Sequence, residues 1–210
     1  MGLLDGLEFL RQGLLDNGSV GAVWPSSKGL AKAMVAPVFK ERTGPLRILE
    51  VGAGMGPFTA ELVAQLQPGD HLDVVELNPE FCKRLRARFE GNPLVAVHEI
   101  SILDFHPPRL YDHVVSGLPL ANFPAELVEQ IYAKLMDLLT PGGHFVMFEH
   151  ILGRELLTVV GTRDGRQRIR RVVEIEKSLK PYEVGTHDVI FNVPPARVRV
   201  RRRPHQHADS

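Results

Sequence analysis

Apolar residues recur along this chain in two alternating rhythms. Short apolar runs at 46–51, 72–76, 94–98, 111–116 and 144–149 predict strands. Between them, 57–66, 79–89 and 125–139 carry apolar residues at helical spacing, and the last stretch stops at Thr140-Pro141-Gly142-Gly143. Strict alternation of this kind predicts an α/β fold with a doubly wound, mostly parallel sheet whose ligands lie over the carboxyl ends of the strands. The end of the chain departs from the rhythm. A helix is expected over 166–179, with Ile169, Val172, Val173 and Leu179 on one side. Two strands are expected at Val189-Ile190-Phe191 and Val198-Arg199-Val200, joined by the rigid Asn192-Val193-Pro194-Pro195. Residues 201–210 read as a frayed tail.

The first forty residues read as lid and entry helices. In 2–17, Leu3, Leu4, Leu7, Leu10, Leu14 and Leu15 form one stripe, closed by Asn17-Gly18. Such a helix either packs across the mouth of the site or lies in a membrane interface. A second helix is expected over 29–39, capped by Ser26 or Ser27. The two hydroxyls, the helix N-terminus and Lys28 also make a candidate anion site. With 210 residues one domain is expected, spanning 1–203 with a tail at 204–210.

The chemistry concentrates at Glu50-Val51-Gly52-Ala53-Gly54-Met55-Gly56, between the first predicted strand and its helix. A strand, a glycine turn and a helix bring bare backbone N–H groups against a ligand. The dinucleotide fingerprint G-x-G-x-x-G needs glycine at position 57, which is Pro57, so that reading fails by one residue. Glu50, just before the turn, suits a ligand with an ammonium group, such as S-adenosylmethionine. Glu76, closing the second strand, is placed to accept from two ribose hydroxyls.

Composition narrows the partners. Lys+Arg and Asp+Glu balance at 25 each, so no global field gathers nucleic acid. A single cysteine, Cys82, excludes an intrachain disulfide framework and is expected to pack rather than react. No apolar run approaches the ~20 residues that span a bilayer, and Asp5 and Glu8 interrupt any secretory start. A cytoplasmic protein, peripheral at the inner membrane surface, is the expectation, with no metal.

The glycine motif resembles that of class I S-adenosylmethionine-dependent methyltransferases. Three further segments resemble the bacterial phospholipid N-methyltransferases that act on phosphatidylethanolamine: Gly21-Ala22-Val23-Trp24-Pro25-Ser26-Ser27, Ser116-Gly117-Leu118-Pro119-Leu120-Ala121-Asn122-Phe123-Pro124, and Asn192-Val193-Pro194-Pro195-Ala196-Arg197-Val198. The resemblance spans roughly residues 8–203 and implies a seven-stranded Rossmann-like sheet with an antiparallel last strand. It implies a cofactor site of Glu50, Gly52, Ala53, Gly54, Gly56, Glu76, Leu77, Ser101, Ile102 and Ser116. Ser101 stands where many relatives carry an Asp that accepts from the adenine amine; Asp104 serves instead if the loop is arranged differently. The neighbouring ribosomal RNA adenine dimethyltransferases use an Asn-Leu-Pro-Tyr type loop. Here Gly117-Leu118-Pro119-Leu120 offers neither the amide nor the stacking ring.

The implied reaction moves the cofactor's methyl group to the amine of an aminophospholipid, most directly phosphatidylethanolamine, with S-adenosylhomocysteine as product. Gly117, Leu118, Pro119 and Asn122 would orient the amine, and His150 would take its proton. Glu149 closes the same strand and is an alternative base. Trp24 would face the ammonium, and Ser26, Ser27 and Lys28 would hold the lipid phosphate. The N-terminal amphipathic helix would meet the membrane. Other acceptors stay open: an ornithine lipid, a small amine or ribosomal RNA adenine. So does a cofactor-binding module without turnover. The basic run Arg197, Arg199, Arg201, Arg202 and Arg203 reads as a solvated strand and tail or as a contact for anionic headgroups.

Overall fold

A computed structural model describes residues 27–120, 123–151 and 163–205, with the backbone alone over 163–169. Seven strands form one sheet in the order β3-β2-β1-β4-β5-β7-β6. They are β1 (Arg47–Val51), β2 (His71–Glu76), β3 (Val95–Glu99), β4 (Tyr111–Ser116), β5 (Leu139–His150), β6 (Glu183–Val189) and β7 (Ala196–Arg202). β1 to β5 pair in parallel, and β7 runs antiparallel to both β5 and β6. Among the described residues the α-helices are α1 (Lys28–Phe39), α2 (Pro57–Val63), α3 (Pro79–Arg88), α4 (Ala125–Asp137) and α5 (Arg163–Ser178).

The central strands are apolar at consecutive positions because both faces of the sheet are covered. Ile48, Val115 and Val146 point to one face, under Leu30, Met34 and Val38 of α1 and Phe58 and Leu62 of α2. Leu49, Val114 and Phe145 point to the other, under Val128, Ile131 and Leu135 of α4 and Val172 of α5. Met34 has no exposed surface, and cutting it to alanine would cost about 2–5 kcal/mol in transfer and cavity energy.

Buried polar groups tie the strands away from the site. Asp73 accepts from Tyr111 Oη at 2.8 Å, pairs with His98 Nε2 at 2.6 Å, and has His71 Nε2 at 3.1 Å. Burial acts against its charge, but the bonds from His98 and Tyr111 hold its carboxyl below the ordinary range.

The ends of the chain correct several expected boundaries. The expected strand at 189–191 is instead Glu183–Val189, and Ile190 and Phe191 lie in the turn beyond its last rung, Val189 with Ala196. β6 is an edge strand, so its sequence, Glu-Val-Gly-Thr-His-Asp-Val, is polar and hides from an apolar search. Helix α4 ends at Asp137, and Thr140–Gly143 belongs to β5 rather than to a separate loop. Gly142 N–H donates to Arg203 O and Arg203 N–H to Gly143 O, so 201–203 are paired rather than frayed. The expected helix at 2–17 lies outside the described residues.

Candidate functional site

β1 ends at Val51, and the chain turns into α2 through Gly52–Gly56. Gly52 and Gly54 hold φ of 71° and 55°, the left-handed region that side chains resist. Their surroundings differ. A Cβ on Gly52 would meet Leu118 Cδ2 at 2.6 Å, whereas one on Gly54 would have nothing within 4 Å. Gly52 is there for close packing; Gly54 borders open room. Gly117 closes the same junction, since its N–H donates to Val51 O at 2.8 Å and its own Cβ would meet Gly52 O at 2.5 Å. Ala53 is buried, accepts from Gly56 N–H at 2.9 Å and belongs to the core beneath the turn.

Glu76 stands at the carboxyl end of β2. Its Oε2 accepts from Gly54 N–H at 2.8 Å, and Oε1 accepts from Leu77 and Asn78 N–H, both at 2.8 Å. Of the carboxylate's roughly four lone-pair sites, these bonds fill both on Oε1 and one on Oε2, which leaves one on Oε2 open. Beside it lies an open cleft of about 280 Å³, solvent at its mouth included. Its apolar walls are Val51, Val75, Leu77, Ile100, Ile102 and Leu118, and its polar groups are Gly52, Glu76 and Ser101. Ser101 accepts from Leu103 N–H at 3.3 Å and caps the short turn Ile102–Asp104. Asp104 is exposed and is not part of the cleft wall.

Glu50 is a different kind of carboxylate. It is wholly buried, and among the described residues neither oxygen has a partner at hydrogen-bond distance; nor does Thr59 Oγ1. Burial pushes its pKa from 4.5 to about 8, the Thr59 contact opposes that rise and the charge of Glu76 adds to it. Two acids at the ends of neighbouring strands are thus set apart, Glu76 satisfied by three N–H groups and Glu50 held by no more than its contact with Thr59.

The other predicted site residues divide. Ser116 is buried and accepts from Leu118 N–H at 3.4 Å. Leu118 is buried, its carbonyl accepts from Leu120 N–H at 2.9 Å, and Pro119 is exposed. His150 closes β5 half-buried, its ring 5.4 Å from that of Phe148. Burial lowers its pKa, with the Pro194 and Pro195 backbone opposing, so the ring is neutral at neutral pH. Glu149 is paired with Arg199 at 2.5 Å rather than available as a base. Ser27 caps α1 through Leu30 N–H at 3.1 Å, and its own N–H donates to Asn192 Oδ1 at 3.2 Å. Ser27 and the exposed Lys28 therefore sit against the β6–β7 turn. Trp24, Ser26 and Asn122 lie outside the described residues. Cys82 is buried with its thiol on Glu76 O, and burial raises its pKa to about 11, as fits packing.

The basic run is not a solvated ladder. Arg197 binds Asp188 at 2.6 and 2.8 Å, and Arg199 lies between Glu149 and Glu183 at 2.5 and 2.7 Å. Arg201 is buried over the Tyr132 ring at 5.6 Å, Arg202 donates to His144 Nε2 at 3.1 Å, and Arg203 caps the carbonyls of Asp137 and Leu139. The sequence reading missed Val51, Val75 and Ile100 as cleft walls; their place at or just past the carboxyl ends of β1, β2 and β3 was the signal. It also missed Thr59 opposite Glu50 and the inward-turned Asn192.

A mixed sheet in this order with an antiparallel β7, a glycine turn at its first strand and a carboxylate at the end of its second define a class I S-adenosylmethionine-dependent methyltransferase, and the chain belongs to that family. Residues 48–143 match the family described as "Methyltransferase domain". The ornithine lipid N-methyltransferase of Singulisphaera acidiphila is 31% identical over 133 residues, covering 60% of this chain and 68% of that protein. A ribosomal RNA small subunit methyltransferase A of Parasynechococcus marenigrum is 31% identical over 93 residues, covering 44% of this chain and 30% of that protein. In fold, the chain resembles the N-methyltransferase NodS of Bradyrhizobium japonicum in complex with S-adenosylhomocysteine. The TM-score is 0.68 at 18% identity, over 92% of this chain and 98% of that one. The cofactor is S-adenosylmethionine, and the open room at Gly54 and the two unpartnered oxygens of Glu50 fit it.

Proposed function

We propose that this enzyme methylates the primary amine of a membrane lipid, phosphatidylethanolamine or an ornithine lipid. The observation that carries the reading is the loop after β4. Gly117 and the buried Leu120 stand there, where a base-modifying enzyme needs an amide and a stacking ring. The relation to an ornithine lipid N-methyltransferase supports the same acceptor class. The arginines of β7, engaged within the fold, give no phosphate-binding ladder that would favour RNA.

The bound cofactor supplies an electrophilic methyl group. The chain supplies position and dryness. Glu76 would hold a ribose hydroxyl through the open site on Oε2, Ser101 would accept from the adenine amine, and Ile102 would pack on its face. Glu50 would face the α-ammonium and carry the matching negative charge. The acceptor amine must be neutral to attack, and the apolar wall at Leu118 lowers its pKa. The Leu118 carbonyl is engaged by Leu120, so the Gly117 and Pro119 carbonyls orient the amine. His150, already neutral, takes the proton. The Leu stripe of residues 2–17 holds the enzyme peripherally at the inner, cytoplasmic face of the membrane, and deleting 2–16 then weakens vesicle binding with the sheet intact.

Methyl transfer from labelled S-adenosylmethionine to anionic vesicles tests the reading. Separate sets contain phosphatidylethanolamine, ornithine lipid or no primary amine. Label is expected in the lipid fraction only where the amine is present, and the set that takes it names the acceptor. Tight cofactor binding with no label in any set retires the lipid reading and directs the search to small amines and RNA.

A further inference from the structure

The turn between β6 and β7 is built with its polar residue inside and its apolar residues outside. Asn192 is only 4% exposed. Its Oδ1 accepts Ser27 N–H at 3.2 Å, and its Nδ2 donates to Pro194 O at 2.7 Å. Its neighbours Ile190, Phe191 and Val193 are 69%, 98% and 62% exposed. Single exposed apolar residues are ordinary on a protein surface; three within four positions, on a turn fastened at its centre, are not.

Two further observations say what meets this surface. Lys28 and Lys32 are exposed one turn apart at the head of α1, to which Asn192 fastens the turn, and neither has an ion-pair partner among the described residues. The apolar tip therefore carries positive charge at its side. The turn also stands at the carboxyl end of β5, where His150 pairs with Ala196 and Ile151 N–H donates to Pro195 O at 2.9 Å. An acceptor of this sheet type enters from that end.

We infer that the β6–β7 turn is an interfacial anchor. Ile190, Phe191 and Val193 enter the boundary between headgroups and acyl chains of an anionic bilayer, and Lys28 and Lys32 meet its phosphates. The contact is peripheral, since no helix among the described residues is long and apolar enough to cross a membrane. The inference rests on the lipid-acceptor reading and adds which surface of the fold meets the lipid. It turns the mouth of the site toward the membrane, so an amine headgroup reaches it without leaving the bilayer.

The test uses the full chain and vesicles of phosphatidylcholine with phosphatidylglycerol. The double variant Ile190→Ser with Phe191→Ser should float with vesicles about tenfold less than the wild type, given the apolar area removed from the contact. Its thermal unfolding should not move. It should methylate a short-chain, monomeric aminolipid as the wild type does, while transfer to vesicles falls. A polarity-sensitive dye placed through Phe191→Cys, with Cys82 buried, should shift to the blue on the same vesicles. Equal flotation of the double variant, or an unmoved dye, overturns the anchor. So does faster proteolysis of residues 1–26 in the lipid-free variant, which would make that segment the cover of the turn. Loss of self-association in the variant would instead name a second copy as the partner, and overturns the anchor too. If the wild type floats through this turn but methylates no amine lipid, the acceptor reading fails while the anchor stands. If it methylates vesicles and the variant does so equally, the reverse holds.

Discussion

Gly117 lies so close to Gly52 that a Cβ on Gly117 would come within 2.5 Å of the Gly52 carbonyl oxygen. The loop after β4 and the glycine turn after β1 are thus in backbone contact. Gly117 lacks the left-handed backbone of Gly52, so the demand there is for space alone. Gly117→Ala should lower unfolding free energy by about 1–3 kcal/mol through overpacking. It should also weaken cofactor affinity, because the yielding atom belongs to the glycine turn. Chemical unfolding and titration calorimetry read the two effects; an alanine variant with unchanged affinity would show that the loops are not coupled.

Gly54 makes the opposite prediction. Its φ of 55° is one that asparagine tolerates, and no atom lies within 4 Å of an added Cβ. Gly54→Asn should leave stability within about 1 kcal/mol of the wild type, as a left-handed asparagine costs little. It should cut cofactor affinity severely, because its side chain fills the ligand's room. Unchanged affinity would move the cofactor away from this turn.

Glu50 gives a pH dependence with a definite sign. Its pKa is 4.5 ordinarily and about 8 in the fold. Between those values the native chain keeps a proton that the unfolded chain has lost, so stability is full below 4.5 and falls as pH rises toward 8. The cofactor-free Glu50→Gln variant should therefore lose less stability than the wild type on going from pH 5 to pH 8. Binding a cationic ligand beside Glu50 should release up to one proton near pH 7. Calorimetry in buffers of different ionisation enthalpy counts that proton; none released would separate Glu50 from the ammonium.

Arg199 bridges two acids, Glu149 on β5 and Glu183 on β6. Arg199→Met should cost about 1–3 kcal/mol, since it takes the shared cation from two partly desolvated carboxylates. Adding Glu183→Gln should recover part of the loss. A double-mutant cycle in urea measures the coupling, and strict additivity of the two changes would contradict the pairing.

The features legible in the sequence were those carried by local pattern. Strand ends β1 and β2, the glycine turn and the acid that closes β2 all follow from runs of neighbouring residues, and the structure brings Glu76, Ser101 and Ile102 to one cleft. What escaped depends on partners far along the chain. Asp73 reads as one polar residue in a strand, yet its bonds reach His98 and Tyr111, 25 and 38 positions away. The arginines of β7 read as a solvated run because Glu149, Glu183 and Asp188 become their partners only once three strands are laid side by side. Asn192 reads as part of a rigid connection, and its inward turn is set by Ser27, 165 positions earlier.

The order of the sheet has a consequence for synthesis. β7 is wedged between β5 and β6, and among the described residues β6 pairs with no other strand. Residues 183–189 therefore wait, fully made, for residues 196–202 to leave the ribosome before they join anything. A stop codon at position 196 would remove one strand from the message and two from the protein, exposing the long edge of β5 to any other chain with backbone to offer.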